Sequence, residues 1–298
     1  MKAFALSLML LAATSVAPSF AAKSAELPFA KERIGWNKPF PPFRVIGNIY
    51  YVGVAGISAF LIVTPKGDIL TDGGLPESAP FIEQHIKALG FKLSEVKILL
   101  NSHAHFDHSG GLAKLKADTG AQFYASRQDQ PFLESGHITF GPSSQIDTIP
   151  VHVDHVVADG DTVSLGGVTL TAHITPGHTK GCTTWTMPLK DGRVTRKVMF
   201  FCSITVAGNP LVDNRAYPNI ADDYEQSFAR LDKMDVDIFL APHGDQFGLD
   251  AKVADLKAGG RNPFIDPGEF HRRLAKFKAD FETELAKQIV AADKAKKP

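Results

Sequence analysis

Short runs of apolar residues, each bounded by turn-forming residues, alternate along the chain with segments in which apolar positions return every three or four residues. The short runs predict β-strands, and the longer periodicity predicts helices with one buried face. The predicted strands cover residues 45–52, 57–64, 68–72, 96–100, 162–165, 168–174, 183–187, 197–201 and 237–240. The predicted helices cover residues 78–89, 110–119 and 223–234, the last with Asp222 as its cap.

The clearest helix lies near the C-terminus. Asp266 to Glu269 (DPGE) combines an N-cap, a first-turn proline and a carboxylate at the third helical position. An apolar face then recurs at spacings of three or four residues, and its members are Phe270, Leu274, Phe277, Phe281, Leu285 and Ile289. Such a face predicts packing against the core and needs no ligand to explain it.

The predicted elements follow a similar order in the two halves of the chain, and no linker-like segment separates them. This order predicts an α/β fold, and it fits two facing sheets with helices outside as well as a doubly wound sheet. Residues 36–43 (WNKPFPPF) predict an ordered lead-in over the surface and not a strand. Whether that lead-in covers a cleft is not decided by the sequence.

Residues 1–21 have the features of a cleaved signal peptide. Lys2 supplies the positive charge, residues 4–13 form a short apolar stretch, and small residues precede a cleavage point after Ala21. A membrane anchor or a buried helix is the alternative, but the apolar stretch is too short to span a bilayer comfortably. We therefore expect a single exported, periplasmic domain over residues 22–298, without a membrane anchor.

Charge and cysteine content narrow the class of protein further. The 32 Lys and Arg residues balance 32 Asp and Glu residues, so no broad basic field exists to hold nucleic acid. At 44% hydrophobic residues, the composition excludes collagen-like and disordered chains. Cys182 and Cys202 both lie in the predicted exported part. An oxidising compartment favours their pairing, and two free buried thiols remain the alternative.

The string NSHAHFDHSGG at residues 101–111 carries the clearest chemical signal. It follows a predicted buried strand directly, where open α/β sheets place their sites. His103 and His105 are two residues apart, so an extended backbone would aim both side chains the same way, with Asp107 in phase and His108 one step off. Imidazoles and a carboxylate suit a borderline divalent metal ion. Clustering by chance is the alternative, although four such groups would be costly in a core without a partner.

Two further histidines are candidates to complete the metal ligands. His178 and His243 each lie in a turn after a predicted strand, next to Pro and Gly. The remaining six histidines are expected to be structural or exposed and not ligands, namely His85, His137, His152, His155, His173 and His271.

Together these motifs resemble the metallo-β-lactamase superfamily. HAHFDH at 103–108 is preceded by DGG at 72–74 and followed by PGHT at 176–179 and PHGD at 242–245. The resemblance covers about residues 57–245. It implies an αββα sandwich, in which two facing mixed β-sheets carry helices on their outer faces and a dinuclear zinc site lies along one edge.

Residues 202 and 203 separate branches of this superfamily. Glyoxalase-type thioesterases share the HxHxDH string, but they carry a metal-bridging Asp in a GD pair where this chain has Cys202-Ser203. In two of the three subclasses of zinc β-lactamase, the Ser203 position is a cysteine ligand. His108 together with Ser203 is similar to the remaining subclass, B3, as are the strings GCTTW at 181–185 and CSITVAGNPLV at 202–212.

The resemblance implies two Zn²⁺ per chain, each with three protein ligands and an open position. The first ion would take His103, His105 and His178. The second would take Asp107, His108 and His243. A zinc-bound hydroxide, oriented by Asp107, would then hydrolyse the amide of the β-lactam ring in penicillins, cephalosporins and carbapenems.

Supporting roles also follow from the resemblance. Asp72 is implied to orient a ligand, although a simple turn aspartate fits its position equally well. Ser203 and Thr205 are implied to bind the substrate carboxylate, directly or through water, and Cys182 and Cys202 to form a disulfide.

The long irregular segment at 135–150 is expected to flank the cleft. Ile138 and Phe140 in that segment are candidate apolar contacts to the substrate.

The sequence thus predicts a monomeric class B β-lactamase of subclass B3. The first alternative is another dizinc hydrolase of the superfamily, a lactonase or thioesterase, and Cys202, Ser203 and the export signal argue against it. The second alternative is a non-catalytic zinc-binding protein. Its sites would be closed by four protein ligands each, whereas this sequence offers three per metal.

Overall fold

The computed structural model describes residues 29–296, so the predicted signal peptide at 1–21 lies outside the described residues. Within this part, twelve strands form two sheets. The first sheet is antiparallel from β1 to β4 and parallel from β4 to β7. Its strands, in spatial order, are β1 (Phe43–Ile46), β2 (Ile49–Tyr51), β3 (Phe60–Ile62), β4 (Asp68–Thr71), β5 (Val96–Leu100), β6 (Gln122–Ser126) and β7 (His155–Val157).

The second sheet has five strands in the order β12-β11-β10-β9-β8. Its neighbouring strands are antiparallel, except that β11 and β12 are parallel. The strands are β8 (Thr162–Leu165), β9 (Val168–Ile174), β10 (Thr183–Asp191), β11 (Val194–Phe200) and β12 (Ile238–Leu240).

The two sheets face each other across one large hydrophobic core. Phe60 on β3 packs edge-on against Phe200 on β11, with the ring centroids 5.5 Å apart. Trp185 on β10 donates its indole N–H to the carbonyl of Asn101, which follows β5, over 3.1 Å. Burying an apolar side chain such as Phe60 contributes about 1.5–3 kcal/mol, so these contacts hold the sheets together.

Helices cover the outer faces of the sheets. Tyr224 on α6 stacks on Phe281 of α8 at 5.0 Å, and Ile86 of α2 and Leu115 of α4 are fully buried. The helices are α1 (Ala30–Trp36), α2 (Ala79–Ala88), α3 (Phe106–Ser109), α4 (Leu112–Thr119), α5 (Gln130–Ser135), α6 (Ile220–Leu231), α7 (Leu249–Ala258) and α8 (Glu269–Ala295). The αββα sandwich is therefore confirmed, and the doubly wound alternative is wrong. Between residues 29 and 296, no helix is both long and apolar enough to cross a bilayer.

Several predicted boundaries are wrong for identifiable reasons. The strand predicted at 45–52 is two strands, because Gly47 adopts a φ of +54° and turns the chain between β1 and β2. The helix predicted at 223–234 begins earlier, at Ile220, because that residue is buried with the apolar face of α6, and Asn219 replaces Asp222 as its cap residue. The last helix begins after Gly268, whose amide donates to the Asp266 carboxylate over 3.0 Å.

Other elements have too little periodicity to be predicted from the sequence. Strands β6 and β7 and helices α1, α5 and α7 are of this kind, and β7 has only three residues. The prediction that residues 36–43 form a surface lead-in without a strand is also partly wrong, because Trp36 ends α1 and Phe43 begins β1. Ile289, predicted in the apolar face of α8, is 45% exposed.

Candidate metal centre

The end of β5 presents the histidine-rich segment at one edge of the sandwich. His105 is extended, with φ −60° and ψ 145°, and it precedes the short helix α3. The prediction that Asp107 continues the extended phase of His103 and His105 is therefore wrong. Asp107 and His108 are successive residues of a helical turn, so their side chains leave the backbone about 100° apart.

Three imidazoles form the first group of candidate ligands, from His103, His105 and His178. One nitrogen from each ring lies within 4.8 Å of the others. The Nε2 atoms of His103 and His178 are 3.1 Å apart. His178 belongs to the turn between β9 and β10, so this group joins the two sheets.

The second group contains Asp107, His108 and His243. An Asp107 carboxylate oxygen lies 3.4 Å from Nε2 of His108 and 3.3 Å from Nε2 of His243, and the two Nε2 atoms are 3.1 Å apart. His243 follows β12 in the second sheet. The two groups are adjacent, since the rings of His103 and His108 have centroids 4.3 Å apart.

In His178 and His243, a hydrogen bond from Nδ1 to a backbone carbonyl leaves Nε2 without a proton. Nδ1 of His178 donates to the carbonyl of Thr205 over 2.7 Å, and Nδ1 of His243 donates to the carbonyl of Gly56 over 3.1 Å. Each of these rings therefore directs an Nε2 lone pair into its group. A cation bound among these lone pairs and the Asp107 carboxylate would satisfy them together. The donor set of imidazole nitrogen and carboxylate oxygen fits zinc.

Burial and neighbouring charges set the protonation of the ligands. Burial lowers the pKa of His105 to about 4 and the pKa of His103 and His178 well below the usual range, so these rings are neutral at pH 7. Burial alone would raise the pKa of Asp107, but the imidazoles of His108 and His243 hold it well below its usual range. The carboxylate is therefore ionised at neutral pH.

Asp72 lies next to the second group. It binds the loop at residues 101–102 more directly than it binds His108. Its Oδ1 accepts hydrogen bonds from the Ser102 amide at 2.7 Å and from the Asn101 side chain at 3.2 Å. Its Oδ2 is 4.0 Å from Nδ1 of His108, which is buried and has no hydrogen-bond partner among residues 29–296.

A cavity of about 790 Å³ opens over both groups. Thr205, Pro142 and Ser143 contribute to its wall, so part of the segment at 135–150 does flank it. Ser203 is fully buried and does not line the cavity, and its hydroxyl lies 3.3 Å from that of Thr205.

The prediction that Ile138 and Phe140 line the cavity and contact the substrate is wrong. They are 4% and 3% exposed and pack in the main core instead.

The disulfide between Cys182 and Cys202 is present, with the Cα atoms 5.7 Å apart. Cys182 precedes β10, four residues after His178, and Cys202 lies beside Ser203. The bond therefore ties the His178 turn to the segment that carries Thr205.

Helix α1 supplies a wall that the sequence did not indicate. Phe29, Glu32 and Trp36 line the cavity, and the Trp36 indole lies 5.5 Å from the His243 imidazole. The Trp36 carbonyl accepts a hydrogen bond from the amide of Gly56 over 2.9 Å. A separate small apolar cluster, which includes Phe106, anchors Phe29 and Trp36. The only hint in the sequence was the density of aromatic residues near position 36.

The six other histidines lie outside both groups, as expected. His85, for example, is buried and pairs with the carbonyl of Val52 at 3.0 Å, and His137 pairs with Asp147 at the surface.

Comparison with known proteins agrees with this geometry. Residues 52–243 match the family model of the metallo-β-lactamase superfamily. The structure is similar to a subclass B3 metallo-β-lactamase of Bradyrhizobium japonicum, with 46% identity, a TM-score of 0.82, and coverage of 86% of this chain and 98% of that chain. It is also similar to the native metallo-β-lactamase from Legionella gormanii, with 45% identity, a TM-score of 0.82, and coverage of 85% and 98% of the two chains.

Curated sequences give shorter matches. A hydroxyacylglutathione hydrolase of Hyphomonas neptunium is 35% identical over 106 residues, which is 36% of this chain. This match spans 33% of the length of that relative.

The αββα sandwich and the two adjacent groups of candidate metal ligands at one sheet edge agree with these matches. The chain belongs to the metallo-β-lactamase superfamily. It is a hydrolase of the type that the subclass B3 metallo-β-lactamases represent.

Proposed function

We propose that this chain is a dizinc β-lactamase that opens the β-lactam amide of penicillins, cephalosporins and carbapenems. The observation that carries the proposal is the pair of adjacent three-ligand groups at the base of one open cavity. Three protein ligands per ion leave a coordination position free, which is typical of catalytic zinc. A closed structural or storage site would need a fourth protein ligand.

Each ion would be held by one of the two groups. His103, His105 and His178 would bind the first zinc, and Asp107, His108 and His243 would bind the second. Bound zinc supplies a Lewis acid for the substrate carbonyl and lowers the pKa of coordinated water to about 7.

Asp107 would orient the attacking water and transfer its proton. Its carboxylate is ionised, lines the cavity and lies against the imidazoles of His108 and His243. It can accept a hydrogen bond from the water, direct the oxygen lone pair toward the carbonyl carbon, and take up the proton that the water loses as its oxygen bonds to that carbon. As the amide C–N bond breaks, the protonated carboxyl group can pass this proton to the departing nitrogen.

Thr205 is placed to receive the carboxylate of the substrate. Thr205 lines the cavity, and its carbonyl accepts hydrogen bonds from His178 at 2.7 Å and from the Tyr224 hydroxyl at 2.8 Å. Ser203 is buried with its hydroxyl 3.3 Å from the Thr205 hydroxyl, so it would act on the substrate carboxylate through Thr205 or through water.

A thioesterase is the competing activity, because hydroxyacylglutathione hydrolases match part of the chain. Two observations favour the β-lactamase. The structure superposes on 98% of the subclass B3 enzyme of Bradyrhizobium japonicum at 46% identity, whereas the hydroxyacylglutathione hydrolase is 35% identical over a sequence match of 106 residues. Within residues 29–296, Asp107 is also the only carboxylate in the two ligand groups, and Ser203 occupies the position of the expected bridging Asp.

The decisive assay compares two substrates for the purified protein. Supplied with zinc, it is expected to hydrolyse a chromogenic cephalosporin, and a chelator should abolish turnover until zinc is restored. S-lactoylglutathione is the matched thioester and should be turned over poorly. If the zinc-loaded protein hydrolysed only the thioester, the proposed β-lactamase function would be wrong and the thioesterase would take its place.

Trp36 gives a second prediction, about substrate binding. Replacing Trp36 by alanine removes the indole wall beside His243 and should lower kcat/KM for a cephalosporin about tenfold, or about 1.4 kcal/mol, mainly through KM. Ile34→Ala is the matched control, because Ile34 lies on the same helix and is 72% exposed. Unchanged steady-state kinetics for Trp36→Ala would show that α1 does not contact the substrate.

We also propose that the protein acts as a periplasmic monomer. The apolar segment at 4–13 and the disulfide between Cys182 and Cys202 support an exported protein. N-terminal sequencing of the protein from a periplasmic extract, expected to begin at Ala22, together with its mass in solution, tests both statements.

A further inference from the structure

Asp129 is a buried carboxylate that lies outside both groups of metal ligands. It follows β6 and precedes α5, and it is 1% exposed. A carboxylate this far from solvent is costly unless it is fully hydrogen-bonded. Its partners therefore indicate what it does.

The three donors to this carboxylate come from the two loops that supply the first ligand group. Oδ2 accepts from the Ala104 amide at 2.9 Å and from the Thr179 hydroxyl at 2.8 Å, and Oδ1 accepts from the Gly181 amide at 2.8 Å. Ala104 lies between His103 and His105 in the chain. Thr179 directly follows His178.

The loop of Gly181 packs closely against Asp129 and its neighbour Ser126. A Cβ atom on Gly181 would lie 2.0 Å from the Ser126 hydroxyl, 2.6 Å from the Asp129 amide nitrogen and 2.7 Å from its carboxyl carbon, so this approach requires glycine. Burial raises the pKa of Asp129 to about 6, and the hydroxyl and the two amides oppose that rise. At neutral pH the group is ionised and accepts all three hydrogen bonds.

We propose that Asp129 is a positioning residue for the first metal site, tying the loop of His103 and His105 to the loop of His178. The inference rests on the proposed metal centre. Both ligand loops of the first group bind Asp129, whereas His243 of the second group is held by the carbonyl of Gly56.

Replacing Asp129 by asparagine would preserve the shape of the side chain, but one of its two acceptor oxygens would become an NH₂ donor. In one orientation its NH₂ group faces the Ala104 amide, and in the other it faces the Gly181 amide. Either way one backbone N–H loses its acceptor and meets another donor. Thr179→Val removes only the hydroxyl donor and preserves the side-chain shape, so it is the milder variant.

The test measures zinc affinity and not activity, by competition with a chromophoric chelator. It uses His108→Ala as the background, in which the three-histidine group is the only intact one. Adding Asp129→Asn should weaken zinc binding about 10–100-fold, the usual cost of losing support behind a ligand. Adding Thr179→Val should cause a smaller loss. Both should also change the absorption spectrum of bound Co²⁺.

Asp154→Asn is the matched control. Asp154 likewise accepts a backbone hydrogen bond, from Phe123 at 2.8 Å, but it contacts neither ligand loop. It should leave zinc affinity unchanged.

Equal zinc affinity with and without Asp129→Asn and Thr179→Val would overturn the inference alone. A wild-type chain that binds no zinc would instead refute the proposed function.

Discussion

Replacement of His108 by alanine is expected to lower kcat/KM for β-lactams by more than about 100-fold, beyond the usual cost of changes behind the ligands. The bound zinc should fall from two equivalents to one. His108 is fully buried, and its Nε2 lies 3.1 Å from Nε2 of His243 and 3.4 Å from the Asp107 carboxylate. Its loss leaves the second group with two ligands, which cannot hold the ion that the proposed reaction needs.

The variant is checked by steady-state kinetics and by metal analysis of the same preparation. His137→Ala is the matched control, because His137 is exposed and pairs with Asp147 at the surface. It should retain full activity and two zinc equivalents. Preserved turnover in His108→Ala would show that one ion suffices and would refute the dizinc mechanism.

Removal of the disulfide by replacing Cys182 and Cys202 together with alanine has the largest expected effect on stability. The bond closes a loop with a sequence separation of 20 residues. Chain-entropy arguments put such a cross-link at about 3 kcal/mol. The free energy of unfolding in urea should fall by about that amount, with both proteins saturated with zinc.

A control separates the lost bond from the lost sulfur atoms. Wild-type protein reduced in urea should unfold at the lower denaturant concentration of the double variant. The variant should still bind zinc, since neither sulfur is a member of a ligand group. A loss of stability well under 1 kcal/mol would contradict the prediction.

The two groups of candidate metal ligands could be predicted because their signal in the sequence is local. Four of them lie within six residues, and His178 and His243 each follow a predicted strand at a Pro-Gly or His-Gly turn. Strands that end at the same sheet edge bring such turns together without any knowledge of side-chain packing. The sequence pattern alone did not decide between two facing sheets and one doubly wound sheet, and the resemblance to a family was needed for that.

Contacts that span long stretches of chain could not be predicted. Trp36 reaches His243 across more than 200 residues, and Asp129 joins loops about 25 and 50 residues away. An isolated Asp or Trp has no periodicity that reveals its partner. The errors at Ile138 and Phe140 have the same origin, because apolar residues in an irregular segment can turn toward the core or toward a cleft.

Each ligand group takes members from both halves of the sandwich. The segment at 103–108 follows the first sheet, whereas His178 and His243 follow strands of the second. Bound cations would therefore cross-link the two halves along that edge, so that metal binding would stabilise the packing of one half against the other. Neither half supplies a complete ligand group by itself, so an intact site requires the two halves to be joined.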